Sequence, residues 1–298
     1  MKKIIPSLAI VFAALLWSLD GLLRQELYLI SPFVIVSLEH LIGALFFLPF
    51  LFRSFSKIKA LGQRGWISIL WISICGGVLG TYFYTKALSY VNYIDLSVVV
   101  LIQKLQPLFA ISLAGVILKE KLSKRFIVLA FIAMSGGYLV TFGNQSIVDW
   151  NDKSLIAALC ALLASFCWGS STVLGKQALK QLPFEAVAGL RLLITAIISI
   201  FIIIFSSNLV ELITLDVENY KTIIIIVFST GTVALSVYYY GLQKLPASHT
   251  TIYELAWPLS AVFLDWSLKG KTLGSIQLIG AVILLASMAI LTKEGSSE

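Results

Sequence analysis

Apolar residues run through this chain in blocks rather than at intervals. Stretches of about 20, the length needed to cross a hydrocarbon core roughly 30 Å thick, recur from end to end with short polar gaps between them. The pattern predicts ten helices, over residues 4–24, 32–52, 66–88, 95–118, 125–142, 154–175, 184–205, 221–243, 248–268 and 274–292. The runs are continuously apolar, whereas a barrel strand would alternate over about 10 residues. Unpaired backbone in lipid costs several kcal/mol per group, so helices are the remaining way across. An all-α polytopic membrane protein is expected.

Composition agrees. Of 298 residues 59% are apolar and 12% charged, with a mean hydropathy of +0.95, which excludes an ordinary soluble domain. The net charge of +7 would suggest nucleic acid in a soluble protein, but here the basic residues fall in the gaps. With the N-terminus inside, 14 of the 22 Lys and Arg lie at inner helix ends. Six lie at outer ends, Arg24, Lys86, Lys153, Lys221, Lys269 and Lys271, while Lys104 and Arg191 lie within spans. This bias predicts two cytoplasmic termini in an inner membrane, with lipid as a partner and no nucleic acid. Met1-Lys2-Lys3 ahead of an apolar run has the charge pattern of a signal peptide. It lacks a small-x-small cleavage site before Asp20, so it is read as a retained first helix. Cys75, Cys160 and Cys167 sit inside apolar runs with no metal-ligand spacing; neither a disulfide framework nor a metal or other cofactor is implied.

The chain is written twice. A shift of 151 residues aligns Trp17 with Trp168, Pro32-Phe33 with Pro183-Phe184, His40 with Arg191, Pro107-Leu108 with Pro258-Leu259 and Leu122 with Leu273. The register slips by three residues in one place, where Ala87-Leu88 matches Gly241-Leu242. Two five-helix units, 1–145 and 152–293, follow, and an odd number of spans forces the second to enter the membrane upside down relative to the first. Inverted halves around a central cavity are the architecture of alternating-access carriers.

Trp17-Ser18 and Trp168-Gly169, Ala87-Leu88 and Gly241-Leu242, Gln106-Pro107-Leu108-Phe109-Ala110, and Lys119-Glu120-Lys121-Leu122 occur in an order that resembles the EamA family of the drug/metabolite transporter superfamily. The resemblance implies ten helices around a cavity, cytoplasmic termini and secondary transport of small metabolites, with export favoured. Two positions depart from the pattern: Lys271 stands where the first copy has Glu120, and His40 where the second has Arg191.

Charges at bilayer depth are expensive and should converge on an interior site. Asp20, Glu39, His40, Lys104, Arg191 and Glu254 are the candidates, with Asp265 read as interfacial. Lys104, flanked by Gln103 and Gln106 and three residues before Pro107, either anchors an anionic group or pairs with Asp20 or Glu39. Glu254, between Tyr253 and Trp257, either holds a substrate ammonium or coupling proton or forms a salt bridge to Arg191. His40 either exchanges a proton during transport or makes a fixed hydrogen bond. Trp17 and Trp168, each beside small residues, read as cavity walls able to hold a ring or cation. Tyr82, Tyr84 and Tyr239, with Tyr238 and Tyr240, read as an interfacial belt or as gates at the two ends of a pathway. Gly76-Gly77-x-x-Gly80 reads as a close helix contact.

Paired acids and bases suggest a small polar or zwitterionic substrate such as an amino acid. The alternatives are uptake or exchange of a nucleoside-like or aromatic cationic metabolite. A channel lacks a filter-like run, and an embedded transferase lacks clustered acids or a positioned nucleophile; no enzyme is expected.

Overall fold

The computed structural model describes residues 4–90, 99, 102–142, 152–206, 209–269 and 274–294, and among them every regular element is helical. The first half contains α1 (Ile4–Glu26), α2 (Pro32–Arg53), α3 (Gln63–Leu88), α4 (Gln106–Leu118) and α5 (Lys124–Phe142). The second contains α6 (Asp152–Ala178), α7 (Phe184–Ile204), α8 (Val217–Lys244), α9 (Ala247–Tyr253), α10 (Ala256–Lys269) and α11 (Ser275–Glu294). Seven of these, α1, α2, α3, α5, α6, α7 and α8, are long and apolar enough to cross a bilayer. The chain is a multi-pass membrane protein.

Several expectations are refined. The fourth span begins in residues outside those described. The ninth is not one helix: it turns at Glu254-Leu255, between α9 and α10. The chain turns likewise at Lys104-Leu105, just before α4. Both breaks fall just ahead of the prolines at 107 and 258, whose missing N–H and ring bulk prevent continuation of the preceding turn. Lys271 and the side chain of Asp265 lie outside the described residues.

The helices pack in a pattern that maps onto itself when first-half helices are exchanged for second-half ones. α2 lies along α7, and α5 along α11; α1 packs on α8 as α6 packs on α3; α1 packs on α10 as α6 packs on α4. Small buried side chains permit these approaches. Ala13 and Ala14 on α1 and Ala157, Ala161 and Ala164 on α6 have almost no exposed surface. Large apolar side chains such as Phe12, Leu159, Phe201 and Val282 point outward instead, as lipid-facing residues do.

Prolines open α2, α7 and α9, where an N–H would have no intrahelical partner. The α9 N-terminus is closed from the other half of the chain. After α4, Lys119 adopts a left-handed conformation (φ 55°), which presents Glu120 to α9. The Glu120 carboxylate accepts from the backbone N–H of Ala247 (2.8 Å) and Ser248 (3.1 Å) and from the Ser248 hydroxyl (2.5 Å). Hydrogen bonds to a charged acceptor contribute roughly 1.5–3 kcal/mol. Glu120→Ala should therefore lower the melting temperature in lipid nanodiscs by several degrees, at roughly 2–4 °C per kcal/mol. Glu120→Gln should recover part of that, and an unchanged melt for Glu120→Ala would show that the clasp contributes nothing.

Candidate functional site

Between the halves lies a cavity lined by polar and aromatic side chains of both. Trp17, Asp20, Glu39, His40, Gln103 and Lys104 line it from the first half. Trp168, Arg191, Glu254 and Trp257 line it from the second. Of the residues considered as gates, Tyr84 and Tyr239 also face the cavity, and with Tyr238 they are 4% exposed or less, so they are no interfacial belt. Tyr82 lies elsewhere, stacked on Phe33 at 4.3 Å. Tyr253 is buried but does not line the cavity.

One wall is an ion cluster centred on Arg24. Its Nε donates to Asp20 Oδ2 (2.6 Å), its Nη2 to Glu39 Oε2 (2.7 Å) and its Nη1 to the Thr85 hydroxyl (3.1 Å). The Thr230 hydroxyl donates to the second Asp20 oxygen at 2.6 Å. These bonds tie α1, α2, α3 and α8 together. Arg24 lies in the last turn of α1, as expected of a helix-end cation, but it is turned inward: the residue is 4% exposed and lines the cavity. Its spacing four residues after Asp20, which puts both on one helix face, was the signal available in the sequence.

A second part of the lining is a neutral ladder ending on an acid. Gln103 Nε2 donates to Gln106 Oε1 (2.8 Å), and Gln106 Nε2 donates to Glu254 Oε2 (2.6 Å). Tyr238 donates its phenol to Glu254 Oε1 (2.8 Å) and contacts the Thr172 hydroxyl at 2.7 Å. Of the two readings of Glu254, the salt bridge to Arg191 is absent. Arg191 instead donates to Tyr239 Oη (3.0 Å) and to the Gly76 carbonyl (2.7 Å), and its Nε has no partner. The alternative in which Lys104 pairs with Asp20 or Glu39 is absent too, and Arg24 engages those acids instead. Lys104 Nζ lies 5.0 Å from the Trp257 ring centre, in the range of a cation–π contact. No carboxylate among the described residues lies within salt-bridge distance of it. His40 Nδ1 donates to the Val36 carbonyl at 2.9 Å, which fixes the imidazole in its helix.

Aromatic rings complete the walls in matched pairs. Trp17 meets Tyr238 at 5.1 Å and 52°, and Trp168 meets Tyr84 at 5.1 Å and 57°. Cys75 and Cys167 are free and buried, and no group of three or more His, Cys, Asp or Glu among the described residues could hold a metal.

Comparison with known proteins bears on what this cavity serves. The model of the EamA-like transporter family matches twice, over residues 4–142 and 155–293. The riboflavin transporter ImpX of Fusobacterium nucleatum subsp. nucleatum is 36% identical over 291 residues, covering 96% of this chain and 97% of that protein. An uncharacterized transporter of Bacillus subtilis, YyaM, is 26% identical over 222 residues, covering 74% of this chain and 71% of that one. A solved crystal structure shares the fold, with a TM-score of 0.75 at 17% identity over 96% of each chain.

Proposed function

The chain belongs to the EamA-like transporter family, a membrane transporter of small metabolites rather than an enzyme, and from that premise we propose that it carries riboflavin or a closely related uncharged flavin by alternating access. The observation that carries the substrate assignment is which polar groups the cavity leaves unused. Asp20 and Glu39 are engaged by Arg24, and both oxygens of Glu254 already accept hydrogen bonds. Among the lining groups without a hydrogen bond to a described residue are two donors, the Lys104 ammonium and the Trp17 indole N–H, while Arg191 Nε and the Ser171 hydroxyl are unpaired but buried. A planar heterocycle bearing carbonyl oxygens and ring nitrogens complements donors of this kind, and the tryptophan and tyrosine faces suit its ring. An amino-acid substrate, favoured by the charge pairs alone, would have to place its ammonium beside Asp20 and Glu39, whose charge Arg24 already offsets, or compete with Tyr238 and Gln106 for Glu254. Identity to a relative named for riboflavin supports the same choice.

The transport cycle we infer has the units 1–145 and 152–293 as inverted repeats, with both termini cytoplasmic in the inner membrane. The double family match, the symmetric helix pairing and the placement of basic residues support that arrangement. The cavity lies at the seam, where exchange of the two half-conformations exposes it to opposite sides.

Proteoliposome counterflow tests the assignment. Riboflavin should exchange saturably, compete with unlabelled riboflavin, and be indifferent to a mixture of amino acids. Lys104→Ala should weaken half-saturation by about ten- to a hundredfold, the value of a hydrogen bond to a charged group. Preloading either side reports direction. Amino-acid exchange without riboflavin exchange would overturn the substrate assignment, and linear flux without counterflow would overturn the carrier mechanism.

A further inference from the structure

The matched Trp–Tyr pairs sit against matched irregularities of the backbone. α3 contains a widened, i to i+5 hydrogen-bonded stretch at Ile72–Leu79, and α8 contains one at Val227–Gly231. With the three-residue slip between these helices, Gly76 corresponds to Thr230 and Tyr84 to Tyr238. Such stretches misalign the regular ladder and turn backbone carbonyls toward side-chain donors.

The two copies use that opportunity differently. In α3 the Gly76 carbonyl accepts from Trp168 Nε1 at 3.0 Å and from Arg191 Nη2 at 2.7 Å. In α8 no described side chain donates to the Thr230 carbonyl, although Trp17 stands against Tyr238 at the same 5.1 Å as Trp168 against Tyr84. Trp17 Nε1 makes no hydrogen bond to a described residue, and His40, which corresponds to Arg191, turns its Nδ1 to Val36 on its own helix. Equivalent rings and equivalent turns are therefore joined by a hydrogen bond in only one of the two corresponding contacts between the halves.

From this asymmetry we propose that the repeated tryptophans are alternate latches, Trp168 closing on the Gly76 carbonyl in the state described here and Trp17 closing on the Thr230 carbonyl in the oppositely facing state. The proposal rests on the inverted-repeat reading above, not on the identity of the substrate. When inverted halves exchange conformations, an interaction made by one half is lost and its counterpart is made by the other. A latch that breaks as its copy forms keeps the two states close in free energy, as a carrier that visits both requires. The cavity-facing indole of the open latch is left free to donate to substrate.

The test uses full-length protein in nanodiscs without substrate, so that a wrong substrate assignment does not affect it. Hydrogen–deuterium exchange is read at the α2–α3 linker (residues 54–62) and at the α1–α2 linker (residues 27–31), which lie at opposite ends of α2. Trp168→Phe keeps a ring against Tyr84 but removes the N–H, and should shift the equilibrium roughly three- to tenfold toward the opposite state. Exchange at the two linkers should then move in opposite directions. Trp17→Phe should shift both the other way, and the double variant should return near the wild type. Trp168→His, which retains a ring N–H, should lie closer to the wild type than Trp168→Phe. Single variants that shift in the same direction, or folded single variants with unchanged exchange, overturn the proposal.

Discussion

Arg24→Met should be the most damaging single substitution in the cavity wall. It leaves Asp20 and Glu39, both under 10% exposed, as buried carboxylates without their shared cation. Removing one partner of a buried ion pair costs about 3–5 kcal/mol, and here one guanidinium serves two acids and a threonine. At roughly 2–4 °C per kcal/mol, the melting temperature in nanodiscs should fall by roughly 10 °C, with poor recovery of monodisperse protein. The physical cause is separable. Replacing a whole buried ion cluster with neutral groups is far less costly than orphaning part of it. Asp20→Asn and Glu39→Gln combined with Arg24→Met should therefore restore most of the lost stability. A triple variant as unstable as the single one would mean that Arg24 acts through its packed volume rather than its charge.

That cluster marks the boundary of what the sequence makes legible. Continuous apolar runs are explicit in the chain because a membrane demands them, and a repeat carrying tryptophan and proline at one offset is readable without coordinates. Ionisable residues inside apolar blocks are conspicuous for the same energetic reason, which is why Asp20, Glu39, Lys104, Arg191 and Glu254 could be singled out together. Their partners are not legible in the same way. Arg24 stands at the edge of an apolar run, where hydropathy cannot distinguish a loop cation from one turned inward. Lys104 over Trp257, and Glu254 under Tyr238 and Gln106, depend on contacts between distant segments. The widened turns in α3 and α8 leave no compositional mark beyond their glycines. The same limit applies to Tyr82 and Tyr84: two residues apart on one helix, they point to Phe33 and to the cavity, and only the packing of α3 distinguishes them.

Gly77→Val should be nearly as damaging, by the opposite mechanism of overfilling. A Cβ on Gly77 would lie 1.9 Å from Thr195 Oγ1 and 2.8 Å from its Cβ and Cγ2, distances no relaxed pair of atoms occupies. Thr195 cannot simply rotate away without loss, because its hydroxyl donates to the Ser73 carbonyl at 2.9 Å. α3 and α7 must therefore part. Overpacking of this kind costs about 1–3 kcal/mol for added methylenes, and valine adds three carbons to a position with no room for one. The functional loss should exceed the loss of stability, because parting α3 from α7 also draws Arg191 off the Gly76 carbonyl and disturbs the seam at which the cavity forms. Counterflow of the proposed flavin substrate by Gly77→Val should fall at least tenfold in protein that still elutes as a single species. Gly77→Ala places the same Cβ against Thr195 and should also lose rate, and Thr195→Gly, which removes the obstructing side chain, should restore part of it. Without that restoration the glycine would be serving backbone flexibility within the widened turn rather than helix approach.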